Sequence, residues 1–341
     1  MPRRRPPAPP VPAADPAAIL DRFPGAEVVV AGDLVADEYV FGETDRISRE
    51  APVLIVRYES SELKPGCAGN AALNLAALGV KVRAVGAVGA DALGEGLLRA
   101  LASGGVDVVG VERVRGRATE SKTRILEGGR STRRQQMLRV DRAPAEPLPA
   151  AVQERLAARI ERLGRRAGAV LASDYGSGTL THAAVEALRR VRRGGVPVCV
   201  DSRYRLAAFA GLTMCKPNEP ELEAAAGLPL NRPGALERAA RTLLRRLGCE
   251  QLLVTRGHNG MSLFRPGEAP VHVPAHGGHE AVDVTGAGDA VAATYGAALA
   301  AGADPVAAMR LANVAGAIVV GKPGTATVSL AELRDELSRA G

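Results

Sequence analysis

Asp283-Val284-Thr285-Gly286-Ala287-Gly288-Asp289-Ala290 joins a Gly-rich turn to an Ala-rich helical pattern that runs to Leu299. Unpaired backbone N–H groups at such a turn, with the positive end of the helix dipole, make an anion site. Asp289 falls just inside the first helical turn, beside that site. A carboxylate there can take a proton from a hydroxyl that attacks a phosphate. The dipole also favours a first-turn acid without any chemistry, and the stretch read alone supports both.

Outward from it, the chain alternates. Ala26–Asp33 is a β-branched run read as a buried strand, with Asp33 and Asp37 delivered at its carboxyl end. Ligands of open α/β sheets sit at such ends. Pro65–Asn70 is a second Gly-rich turn opening a helix, with Asn70 in the first turn as a hydrogen-bonding partner for a hydroxylated ligand or as a cap. From Val152 onward helices of 10 to 15 residues alternate with short strands, and Asn218-Glu219-Pro220-Glu221 and Thr255-Arg256-Gly257 fall at strand ends. The expected fold class is α/β, a mostly parallel central sheet with helices on both faces. Residues 39–62 and 106–142 break that rhythm and read as a small antiparallel β lid, rich in arginine and suited to a phosphorylated substrate. Residues 1–18 read as a disordered tail, and 19–335 as one domain.

At 341 residues the chain can bury a sizeable core, built from Ala, Val and Leu because aromatics are 3% and Trp is absent. The net charge of +7 suits nucleic acid or an anionic small substrate. No nucleic-acid motif accompanies it, and the expectation is a small-molecule partner and no nucleic acid. Four scattered cysteines, Cys67, Cys199, Cys215 and Cys249, suggest neither zinc nor disulfides. No apolar run approaches a membrane span, and a cytoplasmic location is expected.

Two stretches, Gly66-Cys67-Ala68-Gly69-Asn70-Ala71-Ala72-Leu73-Asn74 and Asp283–Ala290, resemble the two signatures of the ribokinase-like (PfkB) carbohydrate kinase family, and Asn218–Glu221 resembles its Asn-x-x-Glu motif. The resemblance covers about residues 26–335. Within the family, Gly42–Pro52, Gln135–Asp141, Ser173–Tyr175 and Val320–Thr325 look most like the heptose 7-phosphate kinases of ADP-heptose biosynthesis. Those enzymes phosphorylate O1 of D-glycero-D-manno-heptose 7-phosphate and are often fused to a nucleotidyltransferase; this chain resembles the stand-alone kinase. The resemblance implies Asp289 as catalytic base and Gly286, Ala287 and Gly288 as N–H donors to the transferring phosphoryl. It implies Asp33, Asp37, Gly66 and Asn70 at the sugar. Lid placement and charge add Arg46, Arg124 and Arg139 as candidate contacts to the sugar phosphate. On the nucleotide side stand Asn218, Glu221, Thr255, Gly257, Arg203 and Asn313. Asn218 and Glu221 would order Mg²⁺ that accompanies ATP, while Asp283 and Thr285 resemble a potassium site. A homodimer through the lid is also implied.

The chain departs from the heptose kinases in three places. Cys67 stands where Gly is commoner, Ser177 and Gly178 follow Gly176 where a lysine is usual, and Ser202-Arg203 replaces Pro-Lys. The rival readings are another PfkB-type kinase acting on ribose, fructose phosphate or a nucleoside, and a non-catalytic sugar- or nucleic-acid-binding protein.

Overall fold

The computed structural model describes residues 16–128, 135–277 and 281–340. Thirteen strands and ten α-helices are found among them. The strands are β1 (Glu27–Gly32), β2 (Leu34–Ile47), β3 (Leu54–Cys67), β4 (Lys81–Gly89), β5 (Val106–Val114), β6 (Ser121–Glu127), β7 (Gln135–Arg142), β8 (Ala169–Asp174), β9 (Val198–Ser202), β10 (Met214–Cys215), β11 (Gln251–Thr255), β12 (Met261–Phe264) and β13 (Val271–Val273). The helices are α1 (Pro16–Leu20), α2 (Ala68–Ala77), α3 (Ala92–Ser103), α4 (Ala150–Gly164), α5 (His182–Arg193), α6 (Glu219–Ala226), α7 (Ala235–Leu247), α8 (Ala287–Ala300), α9 (Pro305–Val320) and α10 (Leu330–Ala340).

The larger sheet has the order β13-β12-β11-β10-β9-β8-β1-β4-β5. It is parallel from β5 to β11, and the β12–β13 hairpin closes it antiparallel. The two-residue period of β1 explains its burial on both sides. Val28 and Val30 pack with α2, α3, α8 and α9, while Val29 and Ala31 pack with α4, α5 and α7. Ala-rich α8 and α9 pack closely because small side chains let the backbones approach; Tyr295 is the largest fully buried side chain and donates to Gln251 Oε1 at 2.6 Å.

The smaller sheet has the order β3-β2-β6-β7. Its outer pairings are antiparallel, and its central β2–β6 pairing is parallel. β2 begins at Leu34, with only Asp33 between it and the end of β1, and β3 returns to Cys67, directly before α2 begins. The root of this sheet therefore lies at the carboxyl end of β1, where Leu34 pairs with Cys67.

Three expectations need correction. Residues 106–114 do not join the smaller sheet: β5 lies parallel to β4 across α3, a βαβ unit whose apolar residues Val106, Val111 and Val114 are buried. Arg113 goes with it and pairs with Glu95 of α3. The basic character of 106–142 masked this ordinary crossover. Residues 16–18 are not tail, because α1 anchors Ile19 and Leu20 in the core; residues 1–15, with Arg3–Arg5, lie outside the described residues. Pro65–Cys67 is the end of a strand rather than a turn. Arg130, Arg133 and Arg134 lie outside the described residues. Among the described residues no helix is long and apolar enough to cross a membrane.

Candidate active site

Carboxyl ends of β1, β8, β9, β10 and β11 converge with the start of α8. Gly286 takes φ +79 as the cap of that helix. A Cβ there would lie 2.6 Å from Asn70 Nδ2, so only glycine lets α2 and α8 meet at this point. The contact lets Asn70 Nδ2 donate to Asp289 Oδ2 at 2.8 Å. Tyr175, on the loop after β8, donates its hydroxyl to Asp289 Oδ1 at 2.9 Å. Asp289 is only 4% exposed. Burial pushes its carboxyl up to about 7; the hydrogen bond from Asn70 opposes this, Asp201 adds to it, and the Tyr175 hydrogen bond and Lys216 oppose it. A carboxyl poised near neutrality is what a general base requires.

Lys216, at the end of β10, is buried and pairs with Asp201 at 3.0 Å. Burial opposes its charge, but Asp201 outweighs that and raises its pKa. A Cβ on Gly288 would stand 3.5 Å from Lys216 Nζ, so the ammonium lies directly under the helix start. Sequence reasoning missed Lys216 and Tyr175. The signal for Lys216 was a lone lysine ending an apolar strand, immediately before the Pro-Asn-x-x-Glu run. Tyr175 falls in the Ser173–Tyr175 stretch, but nothing local gives its side chain a role.

A cavity of about 1110 Å³ opens beside these groups. Its walls include Arg203, Asn218, Glu221, Thr255, Gly257 and Asn313, together with Ala287 and Gly288. All six residues expected on the nucleotide side are thus brought together. Asn313 donates Nδ2 to Pro274 O at 2.8 Å. Asn218 and Glu221 form a reciprocal cap on α6, with Asn218 Oδ1 accepting from Glu221 N at 2.8 Å and Glu221 Oε2 accepting from Asn218 N at 2.9 Å. Both residues also line the cavity. Among the described residues no cluster of three or more His, Cys, Asp or Glu could cage a metal. Asn218 and Glu221 supply oxygen donors of the kind that meets magnesium through its phosphates and waters. Asp283 accepts from Thr285 N and from Gly324 N, both at 2.9 Å. Burial works against its charge, but hydrogen bonds from Thr285 and Gly324 outweigh it and hold its carboxyl below the usual range, so Asp283 is an anionic carboxylate beside the start of α8.

On the other side of Asn70, the expected sugar residues divide. Both oxygens of Asp33 are taken by backbone N–H groups: Oδ2 by Tyr175 at 2.8 Å and Ser177 at 3.1 Å, Oδ1 by Thr179 at 3.0 Å. Asp33 ties down the loop after β8. Asp37 instead lies over Gly66 and pairs with Arg124 Nη1 at 2.7 Å; Arg124 in turn stacks on Tyr39, 5.2 Å from the ring centroid. Tyr39 bonds Thr325 at 2.9 Å, joining the smaller sheet to the loop after α9. Arg139 is the cross-strand neighbour of Arg124 but is exposed and forks onto Asp141. Arg46 is exposed near the far tip of β2, nine residues from Asp37, or roughly 30 Å along the strand. The structure does not bring Arg46 to the site.

Cys67 has φ +55, the only positive φ of a non-glycine residue among the described residues. That accounts for glycine being commoner at this position in the resembled signature. Ser202, in place of proline, donates its hydroxyl to Asp174 Oδ2 at 2.7 Å. Arg203 lines the cavity with its guanidinium 5.7 Å from the Tyr204 ring centroid.

Comparison with known proteins agrees with this geometry. The model of the family described as pfkB family carbohydrate kinase matches residues 26–332. The bifunctional protein HldE of Methylococcus capsulatus is 45% identical over 320 residues, covering 92% of this chain and 64% of that protein. The chain spans less than two thirds of the length of the curated relatives it matches first. Among solved structures, Arabidopsis thaliana ribokinase complexed with ribose and ATP superposes with a TM-score of 0.71 at 24% identity, covering 92% of this chain and 98% of that one. Escherichia coli phosphofructokinase-2 in complex with potassium gives 0.74 at 19% identity, covering 92% and 98%. These two establish the shared ribokinase-like fold.

Proposed function

The chain belongs to the pfkB family of carbohydrate kinases, and from that premise we propose that it transfers the γ-phosphoryl group of ATP to O1 of D-glycero-D-manno-heptose 7-phosphate. Its activity is that of a sugar kinase, a phosphotransferase. The observation that carries the site assignment is Asp289, buried beside the Gly286–Gly288 helix start with its carboxyl raised to about 7. The choice of sugar rests on the heptose-kinase stretches of the sequence and on the identity to HldE proteins.

In this reading the sugar lies against Asn70 and Asp37, between α2 and the root of the smaller sheet. Its O1 hydroxyl gives its proton to Asp289 as O1 attacks the γ-phosphorus in line. Backbone N–H groups of Ala287 and Gly288, with the Lys216 ammonium, face the charge that spreads over the equatorial oxygens. Thr255, Gly257, Arg203 and Asn313 hold the nucleotide. Asn218 and Glu221 would order the waters of a magnesium ion bound with ATP, which would supply charge neutralisation at the phosphates. Asp283 and Thr285 would hold a potassium ion. Arg124 is the sugar-phosphate contact favoured by its position, and its pairing with Asp37 presets its fork. The smaller sheet closes over the sugar as a lid and excludes water. Leu54, Tyr58, Leu138 and Val140 are exposed on that sheet, and a homodimer that covers them completes the proposal. A panel of heptose 7-phosphate, fructose 6-phosphate and ribose, read by ADP release and by the position of the new phosphate, tests the substrate.

A further inference from the structure

Both oxygens of the proposed base already carry a donor. Asn70 occupies Oδ2, and the Tyr175 hydroxyl occupies Oδ1 at 2.9 Å. A hydroxyl donating to that carboxylate is also what the acceptor sugar must offer. Burial, with Asp289, Asp201 and Cys67 nearby, holds the Tyr175 phenol well above its usual pKa, so it stays a neutral donor. Its placement is built. The loop backbone is fixed by the three N–H groups that Asp33 accepts, and by Arg117, which donates Nη2 to Ser177 O at 3.2 Å. The ring is faced by the Lys122 ammonium of β6, 5.5 Å from its centroid. Tyr175 lines the large cavity together with Lys216 and Gly288, while Asp289 is not part of that wall. The phenol therefore stands between the nucleotide side of the cavity and the base.

We propose that Tyr175 is a placeholder for the acceptor hydroxyl: it holds Oδ1 of Asp289 while no sugar is bound, denies that position to water, and yields it when the sugar hydroxyl arrives. The inference rests on the assignment of Asp289 as base. With the phenol hydroxyl removed, a water molecule can take its place. The water oxygen then bonds to the γ-phosphorus and its proton passes to Asp289. The bond from the γ-phosphorus to the bridging oxygen breaks, and the electron pair leaves with ADP. The products are ADP and inorganic phosphate, and Asp289 returns its proton to solvent. Tyr175 in this account suppresses futile hydrolysis, a role separate from that of the donors that hold the phosphate.

The test uses the full chain with Mg·ATP and no sugar. Tyr175→Phe keeps the ring and deletes the donor. ADP release without sugar is expected to rise about tenfold, the low end for loss of a hydrogen bond to a charged group. Tyr175→Leu, which removes the ring as well, should raise it at least as far. With a phosphorylatable sugar present, the ratio of sugar phosphate to ADP should fall below one in both variants. Sugar-free hydrolysis that stays at the parent level or drops in both would overturn the placeholder role and leave Tyr175 as a support of the base in the working complex. Asp289→Asn separates the two ideas. If Asp289→Asn phosphorylates sugar near the parent rate, the base assignment fails; if its turnover falls by about 10² or more while the Tyr175 variants show no added hydrolysis, only the Tyr175 inference fails. The double variant Tyr175→Phe with Asp289→Asn should lose the added hydrolysis.

Discussion

Replacing Asp289 by asparagine should make the protein more stable and nearly inactive, and the gain in stability should depend on pH. The carboxyl is lifted by burial from 3.8 to about 7. Three pK units at 1.36 kcal/mol each are worth about 4 kcal/mol. Because the folded pKa is the higher one, the folded chain binds the proton more tightly. The associated stability is fully present below about pH 4 and is lost as pH rises through about 7. Asparagine cannot ionise and does not suffer that loss. It also fits the local donors: its Oδ1 can accept from Asn70, and its Nδ2 can donate to the Tyr175 oxygen. Urea melts of parent and variant at pH 5 and pH 8.5 should show the advantage of Asp289→Asn growing by about 3 kcal/mol over that range. Turnover should fall by about 10²–10⁴ in the same variant. Parallel stability curves, with no growth in the difference, would refute the claim that this carboxyl is held in a desolvated, poised state.

Other substitutions probe the surrounding parts. Gly286→Ala places a methyl group against Asn70 Nδ2 at a left-handed position; steady-state kinetics should show kcat down roughly hundredfold, comparable to loss of an oxyanion donor. Lys216→Met takes the buried ammonium from the half-buried Asp201, so a loss of about 3 kcal/mol in denaturant melts is expected, with weaker binding of ATP by calorimetry. Cys67→Gly relieves the φ of +55 and should stabilise the chain by about 1 kcal/mol, measured the same way. Arg124→Gln should raise the KM for a phosphorylated sugar about tenfold or more, since charge-assisted hydrogen bonds are worth roughly 1.5–3 kcal/mol, whereas Arg46→Gln, far out on β2, should leave it unchanged.

The parallel sheet was legible because its signals are local. β-branched runs such as Val28–Ala31, helix caps such as Thr181, and the Gly286–Asp289 turn each depend on a few neighbouring residues. Assignments that depend on long-range partners were not legible. Asp33 sits at a strand end, as expected for a ligand contact, yet its oxygens are saturated by a loop 142 to 146 residues away. Asp37 lies where a long strand leaves the larger sheet, and pairs with Arg124 across 87 residues. No local pattern reports which carboxylate is satisfied by backbone donors. The basic residues of 106–142 misled for a similar reason. Charge marks exposure, whereas membership of a sheet is decided by the buried face, and Val106, Val111 and Val114 place β5 beside β4.

The account's central claim is tested most directly by incubating the full chain with Mg·ATP and D-glycero-D-manno-heptose 7-phosphate, and locating the new phosphate by ³¹P NMR. Phosphorylation at O1, with kcat/KM exceeding that for ribose or fructose 6-phosphate by about a hundredfold or more, is the predicted result. Faster turnover of ribose or fructose 6-phosphate, or a phosphate placed elsewhere on the heptose, would contradict it.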